Sequence, residues 1–467
     1  MAKKTKKQDE PEYTGRYLVY SPDLSQAAGI SSQIQSKTGL NLKSSTEFEN
    51  EIFTEKDLEN TDGIYLDKIG VAVLNSKPEA ESSISALADE DGLIVEKERV
   101  VHAISLLDEE TENYVKGYRD AVNSLADMLV QPEEEYDFDE AEMEDLEDPE
   151  VSVSGNTWGL KATKVVPQTF LYTNPYSGSG IKVAILDTGF DLNHPDFAGR
   201  PIVSQSFISG QAVQDGHGHG THCTGTACGP KSPAPAVERY GVAYNAKIHI
   251  GKVLSNSGSG ADSGILAGIN WAIANGCSII SMSLGANVNG PGYSAVYESV
   301  ALNALNNGTL IIAAAGNASS RPGTIKPVSH PANCPSIMAV GAVDSAMNVA
   351  SFSCGGLYPS YGAVDIAGPG VAVFSSTKMP ARYATWNGTS MATPHVAGIA
   401  ALWAQATGLR GRNLWRKLIS TAKALPAHPS RDVGAGLVQA PNKRRFFWKY
   451  PFPVKPIKPI PYPIIRP

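Results

Sequence analysis

No run of eighteen apolar residues occurs in this 467-residue chain, which excludes a membrane-spanning helix. Cysteine is scarce. The five residues Cys223, Cys228, Cys277, Cys334 and Cys354 are odd in number and include no CxxC pair, which speaks against a disulfide framework or a zinc site. One or two disulfides stay open on these grounds. The N-terminus, MAKKTKKQDEPEYTG, is basic but has no apolar segment behind it, so it does not read as a Sec signal peptide. The expectation is a protein that stays in the cytoplasm or leaves by a non-Sec route.

Charge of one sign is scarce in each part of the chain. Residues 1–150 hold 37 acids against 14 bases, whereas residues 151–467 hold only 10 acids against 25 bases. Opposite charges on two segments of one chain favour their docking at low salt. The basic half carries no nucleic-acid-binding motif, so a nucleic-acid partner is not expected.

What is present divides the chain into five parts. Residues 1–15 read as a disordered lead. Residues 16–130 open with short strands and helices: RYLVYS (16–21), AAGISSQIQSKTG (27–39), NLKSSTEF (41–48), GIYLDKIGVAVLN (63–75), EAESSISALADE (79–90) and GLIVEKERVVHAI (92–104). That order, βαββαβ, is a ferredoxin-like α+β unit. Apolar residues at helical spacing over 107–129 predict an amphipathic helix. Residues 131–150 form an acidic linker, with twelve acids and no base from 133 to 150. Residues 151–440 alternate buried-looking strands such as IKVAIL (181–186) and GTLIIAAAG (308–316) with helices, which predicts an α/β domain. Its mostly parallel sheet would be covered by helices on both faces. Residues 441–467 form a basic, proline-rich tail suited to an extended conformation.

Three segments carry the candidate chemistry. IKVAILDTGFDLNHPDF places Asp187 directly after a strand, at the edge where open α/β sheets collect working residues. DGHGHGTHCTGTACG holds His219, and NGTSMATPHVAGIAALW sets Ser390 at the start of a helix. A serine hydroxyl needs an imidazole to take its proton, and the imidazole needs a buried carboxylate to fix its tautomer. The rivals are His217 and His222 for the base, and Asp191, Asp196 and Asp215 for the carboxylate. Of these acids only Asp187 immediately follows the strand.

In this order DTG, HGTHCTGT and GTSMATPHVAG resemble the active-site motifs of subtilisin-like serine peptidases, over roughly 155–440. The cysteine in HGTHC is similar to the proteinase K branch, and GAVDSAMNVASFS to the bacterial subtilisins. The resemblance implies a serine endopeptidase with Asp187, His219 and Ser390 as triad, in the chain order Asp, His, Ser of that family. It implies that Asn317, in AAAGNASS, and the Ser390 amide hold the oxyanion. Peptide or protein substrates would add as strands beside Ser281, Met282, Ser283, Leu284 and Gly285, and beside Gly258, Ser259 and Gly260. Ala315, Gly316 and Ser329 would line an uncharged pocket for the residue before the cut.

The N-terminal unit is similar in order and position to a subtilisin propeptide, which implies an intramolecular inhibitor and a monomeric zymogen cut in the linker near 145–157. The acyl-enzyme chemistry also suits a peptide ligase or macrocyclase, and a third reading is a non-catalytic scaffold. The chemistry requires no cofactor or metal. Family members often hold structural calcium at a carboxylate matching Asp196, but prolines stand in GPKSPAPAVERYGVA (229–243), where further ligands would lie. A strong calcium site is therefore not expected, and Asp365, near a weaker site, reads as a loop cap. Cys223, four residues after His219, should sit under the active site as a buried small residue.

Overall fold

A computed structural model describes residues 11–21, 27–48, 53–75, 80–91, 93–104, 155–167, 169, 172–358 and 360–444. The expected helix at 107–129, the acidic linker and nearly all of the basic tail lie outside the described residues.

The N-terminal unit runs β1 (Tyr13–Tyr20), α1 (Ala27–Thr38), β2 (Leu42–Ser44), α2 (Glu55–Glu59), β3 (Gly63–Leu66), β4 (Val71–Leu74), α3 (Glu81–Asp91) and β5 (Ile94–Ala103). Its strands lie in the order β5-β1-β4-β3-β2, with β1 antiparallel to both neighbours. The ferredoxin-like order is present, with two local differences. The stretch 63–75 is a hairpin rather than one strand: Gly70, at φ +72°, reverses the chain and its amide closes on Leu66 at 2.8 Å. The strand expected over 41–48 ends at Ser44, because Ser44 and Glu47 form a capping box that starts a turn of 3₁₀ helix.

Alternation along these strands gives the small sheet two apolar faces. Tyr17, Val19, Tyr65, Ala72 and Leu74 pack with Ile30, Ile34 and Ile84 of the unit's own helices. Leu18, Tyr20, Ile64, Leu66, Val71 and Val73 join a core shared with the larger domain.

That domain contains α4 (Trp158–Ala162), β6 (Tyr172–Thr173), β7 (Lys182–Asp187), β8 (Ile202–Ser206), α5 (His219–Cys228), β9 (Lys247–Lys252) and β10 (Ser259–Ala261). It continues with α6 (Asp262–Ala274), β11 (Ile279–Met282), β12 (Leu284–Gly285), α7 (Ala295–Asn306), β13 (Leu310–Ala314), β14 (Met338–Val343), β15 (Ile366–Pro369), α8 (Thr389–Thr407) and α9 (Gly411–Thr421). Seven strands form a parallel sheet in the order β15-β14-β13-β11-β7-β9-β8. Ala184 and Leu186 of β7 pack on the side of α6 and α7, while Val183 and Ile185 pack on the side of α5 and α8. Both faces are therefore covered, as expected. All five cysteines are buried and free.

Helix α6 is wedged between two sheets, and residues 262–272 are all buried. A helix apolar all round belongs inside a core, and here the N-terminal unit supplies the second wall. The seam is completed by two carboxylates on β5. Glu96 accepts from the Ser294 hydroxyl at 2.5 Å and the Ala295 amide at 2.6 Å, at the start of α7. Glu98, fully buried, accepts from the Ser263 amide of α6 at 2.8 Å and is held by Arg16 and Thr14. The acidic unit thus meets the positive ends of helix dipoles at these two residues. Glu98→Ala strands the Arg16 guanidinium and the Ser263 amide. It is expected to lower stability by about 3 kcal/mol or more, read by chemical denaturation of the full chain carrying Ser390→Ala.

Candidate active site

Asp187 closes β7 at the carboxyl edge of the sheet, and His219 opens α5. The helix starts there because Gly218 holds φ +104° and Asp215 gathers the approaching chain. Asp215 accepts from the amides of His217 (3.0 Å), Gly218 (2.8 Å) and Thr221 (2.9 Å), and from the hydroxyls of Thr188 (2.9 Å) and Thr221 (2.7 Å). Thr188 in turn accepts from the Gly220 amide at 2.8 Å. A Cβ on Gly220 would stand 2.2 Å from the Gly189 carbonyl oxygen, so the close approach of helix to strand requires glycine. Fully buried Lys252 donates to the Thr188 carbonyl and, at 2.9 Å, to Asn256. Asp215, Thr188 and Lys252 hold this junction although no motif chemistry marks them for that supporting role. Aspartate two residues before the HGH run was the available signal.

His219 Nδ1 lies 2.7 Å from Asp187 Oδ1, and both side chains are buried. Burial disfavours the imidazolium, but the Asp187 charge and hydrogen bond outweigh it and hold His219 well above its ordinary value. The rivals are accounted for differently. His222 is stacked on Trp386 at 4.7 Å, faces the Val373 and Ala384 carbonyls, and is driven down to about 3 by burial and by His219. His217 stands edge-on to His219 at 6.1 Å. Asp191 accepts from the Met379 amide at 2.6 Å and the Asn193 amide at 3.0 Å. Cys223 is buried, with Sγ 3.9 Å from His219 Nδ1, and burial pushes its thiol up. Asp187, His219 and Cys223 each bring a ligand-type atom within 4.8 Å of the others. The histidine nitrogen among them is already bonded to Asp187.

The third candidate, Ser390, starts α8 beside these groups. Its hydroxyl donates at 2.6 Å to the carbonyl oxygen of Ile104 and at 3.2 Å to that of Ser283, leaving His219 Nε2 buried without a hydrogen-bond partner among the described residues. The Asp187–His219 contact is therefore made, and the serine is engaged instead by the end of the N-terminal unit. Asn317 Nδ2 donates to the same Ile104 oxygen at 3.0 Å, while its Oδ1 accepts from the Thr389 amide and hydroxyl, each at 2.9 Å. The asparagine is clamped with its donor aimed at that oxygen.

Strand β5 reaches this point as the middle strand of three. On one side Val100, Val101 and His102 pair antiparallel with Ala261, Gly260 and Ser259, and the Ala103 amide donates to Gly258 at 2.7 Å. On the other side His102 and Ala103 pair with Gly285 and Leu284, and the Ile104 amide donates to Ser283 at 3.3 Å. Gly258, Ser259, Gly260, Ser283, Leu284 and Gly285 thus line β5. Ser281 and Met282 do not. They belong to β11, whose main chain is paired with β7 and β13 on its two sides, so neither offers a free edge. The carbonyl that meets Ser390 is that of Ile104, whereas residues 145–154 of the expected cut region lie outside the described residues.

The Ile104 side chain lies over Gly285, where a Cβ would come 3.0 Å from Ile104 Cδ1. Ser329 is buried against Gly316, with its amide donating to the Ala315 carbonyl at 2.9 Å. A Cβ on Gly316 would meet Ser329 Oγ at 2.2 Å and Cys354 Sγ at 3.2 Å.

The calcium ligands the resemblance suggests do not fit an ion. Asp196 accepts from Tyr240 at 2.5 Å, Tyr383 at 3.0 Å and the Ala234 amide at 3.2 Å. Burial and the Asp196 charge drive the Tyr240 hydroxyl far up and Tyr383 up to about 12, so both stay donors and occupy the carboxylate. Asp365 accepts from the Ala339 amide at 2.8 Å, and burial raises it to about 7. Neither site offers the set of free oxygens that calcium takes.

Residues 178–436 match the model of the subtilase family. Subtilisin DY of Bacillus licheniformis is 40% identical over 282 residues, which cover 60% of this chain and 94% of that protein. Subtilisin E of Bacillus subtilis (strain 168) is 42% identical over 234 residues, 50% of this chain and 57% of that one. An alkaline protease of Alkalihalobacillus alcalophilus is 41% identical over 302 residues, 63% and 72% of the respective chains.

Acylation of Ser390 needs neutral His219, whose affinity for a proton is raised above the ordinary 6.5. The acylation rate is therefore expected to climb as pH rises through a value above 6.5. The pair's contribution to stability has the opposite sense: it is full below 6.5 and is lost as pH rises through the folded-state value. Asp187→Asn should shift the rate profile to lower pH and cut the rate about 10⁴-fold, read with a chromogenic active ester across pH.

Proposed function

The chain belongs to the subtilase family and is a serine endopeptidase, and we propose that it is made as a zymogen whose own chain from Val100 of β5 to Ile104 occupies its substrate cleft. In this reading Asp187, His219 and Ser390 are the triad, and Asn317 with the Ser390 amide receives the oxyanion. The observation that carries it is the double engagement of the Ile104 carbonyl oxygen by the Ser390 hydroxyl and Asn317 Nδ2.

In this reading Ser390 Oγ turns from that oxygen to the carbonyl carbon, and its proton goes to His219 Nε2, which is buried and has no hydrogen-bond partner among the described residues. Oγ attacks, Nε2 takes its proton, and Asn317 donates to the oxygen as negative charge develops there. The tetrahedral centre collapses by expelling the nitrogen of Ser105, which takes the proton from His219. Water, activated by the same imidazole, then releases the acyl group from Ser390. The reaction needs no cofactor. Asp187 stays ionised throughout and stabilises the imidazolium.

The N-terminal product remains an inhibitor because its strand keeps its pairing on both sides and its carboxylates stay on α6 and α7. Main-chain pairing tolerates many sequences, so substrates are selected chiefly by the pocket at Gly285, Gly316 and Ser329. That pocket suits a mid-sized uncharged residue such as isoleucine.

Expression of the native chain should yield a new N-terminus at Ser105, and Ser390→Ala should leave that bond whole, both read by intact mass and N-terminal sequencing. Identical cleavage of the two proteins, or no cut after Ile104, would overturn the zymogen reading. The same masses separate hydrolysis from ligation, since a ligase joins the acyl fragment to an amine and a hydrolase adds water. Ser329→Gly should raise kcat/KM for phenylalanine relative to isoleucine before the cut by about tenfold, a methylene-scale change in pocket depth, measured with paired peptide anilides.

A further inference from the structure

Counting back from the cut, Ile104 is the first residue of the bound strand and Arg99 the sixth. Strand pairing with β10 ends at Val100, opposite Ala261. The next main-chain amide, that of Arg99, donates at 2.9 Å to Asp262 Oδ2. The other oxygen of Asp262 lies 2.9 Å from His330 Nε2, and both side chains are buried. His330 is held further by ring packing and by its main chain. Its ring meets Tyr297 edge-on at 4.7 Å, and its main chain pairs with Ala286, next to Gly285 of the cleft wall. Burial works against an ionised Asp262, but His330 and the Arg99 amide offset it and hold the carboxyl below its usual range.

The bland account of Asp262 is a helix-end acid, since it is the first residue of α6. Its hydrogen bonds argue otherwise. The capping position, Ala261, makes no side-chain bond, and the α6 amide at Ser263 is met by Glu98 of the N-terminal unit. Asp262 Oδ1 faces His330, and Oδ2 faces the bound strand.

We propose that Asp262, positioned by His330, is a substrate subsite that accepts the main-chain amide of the sixth residue before the cut, so that the enzyme favours peptides at least six residues long on that side. The inference rests on the cleft assignment made above. The Arg99 amide makes the hydrogen bond, so that bond selects for length, while the Arg99 charge adds a pull on the carboxylate.

The test compares three anilides cleaved by the self-processed enzyme. They are acetyl-Arg-Val-Val-His-Ala-Ile, the same peptide with the arginine nitrogen replaced by oxygen, and acetyl-Val-Val-His-Ala-Ile. The single amide-to-ester change deletes one donor to a carboxylate and should lower kcat/KM about ten- to hundredfold. The loss should appear in KM rather than kcat, and the five-residue peptide should behave like the ester. In Asp262→Ala the amide-to-ester ratio should fall towards one. If that variant does not fold, the native enzyme decides alone. Equal kcat/KM for amide and ester on native enzyme would overturn this inference and leave the triad untouched. Failure of a fluorophosphonate to label Ser390 would instead remove the cleft assignment and this inference with it.

Discussion

The structure depends on one buried hydrogen bond between a carboxylate and an imidazole, Asp187 to His219. Two ionisable groups sealed from water are costly unless geometry is held closely. The fold meets that condition with rigid elements on both sides. Asp187 is the last residue of a strand flanked by two others, and His219 is the first residue of a helix tied down by Asp215 and Thr188. Gly220 allows the helix to touch the strand, and Lys252 fixes the turn between them. Small displacements at any of these points would separate the pair.

The cleft follows a different physical rule. It recognises a chain by its main-chain groups, offering one strand edge on each side of an extended peptide. A folded unit can exploit this by ending in a strand, as the N-terminal unit does with β5. Its sheet also covers α6 and α7, which would otherwise expose an apolar face. Helix covering and strand pairing thus share one surface of the N-terminal unit, and a free peptide can reproduce only the strand-pairing part of it.

Departures from relatives have local physical causes. The carboxylate that matches a calcium ligand is filled by two tyrosine hydroxyls and an amide, so hydrogen bonds occupy the oxygens an ion would need. The acidic N-terminal unit does its docking through Glu96 and Glu98 at helix ends, where the partner is a row of unsatisfied amides rather than a lysine or arginine.

Local pattern alone determined a great deal. Alternating strands and helices announced the covered parallel sheet, and the ferredoxin-like order was readable up to the Gly70 reversal. Asp187, His219 and Ser390 were legible because each sits in a short motif whose chemistry requires it, and Asn317 only through the resemblance of AAAGNASS to a family segment. Tertiary structure decided what depends on neighbours distant in the chain. Ser281 and Met282 read as an edge, but only the placement of β7 and β13 makes them interior. Ile104 reads as the end of an ordinary strand, yet folding sets its carbonyl on a serine 286 positions away. Asp262 and His330, 68 positions apart, have no shared motif to announce them. Periodicity reports which way a side chain faces, whereas the partner waiting there is fixed only when the whole chain has closed around it.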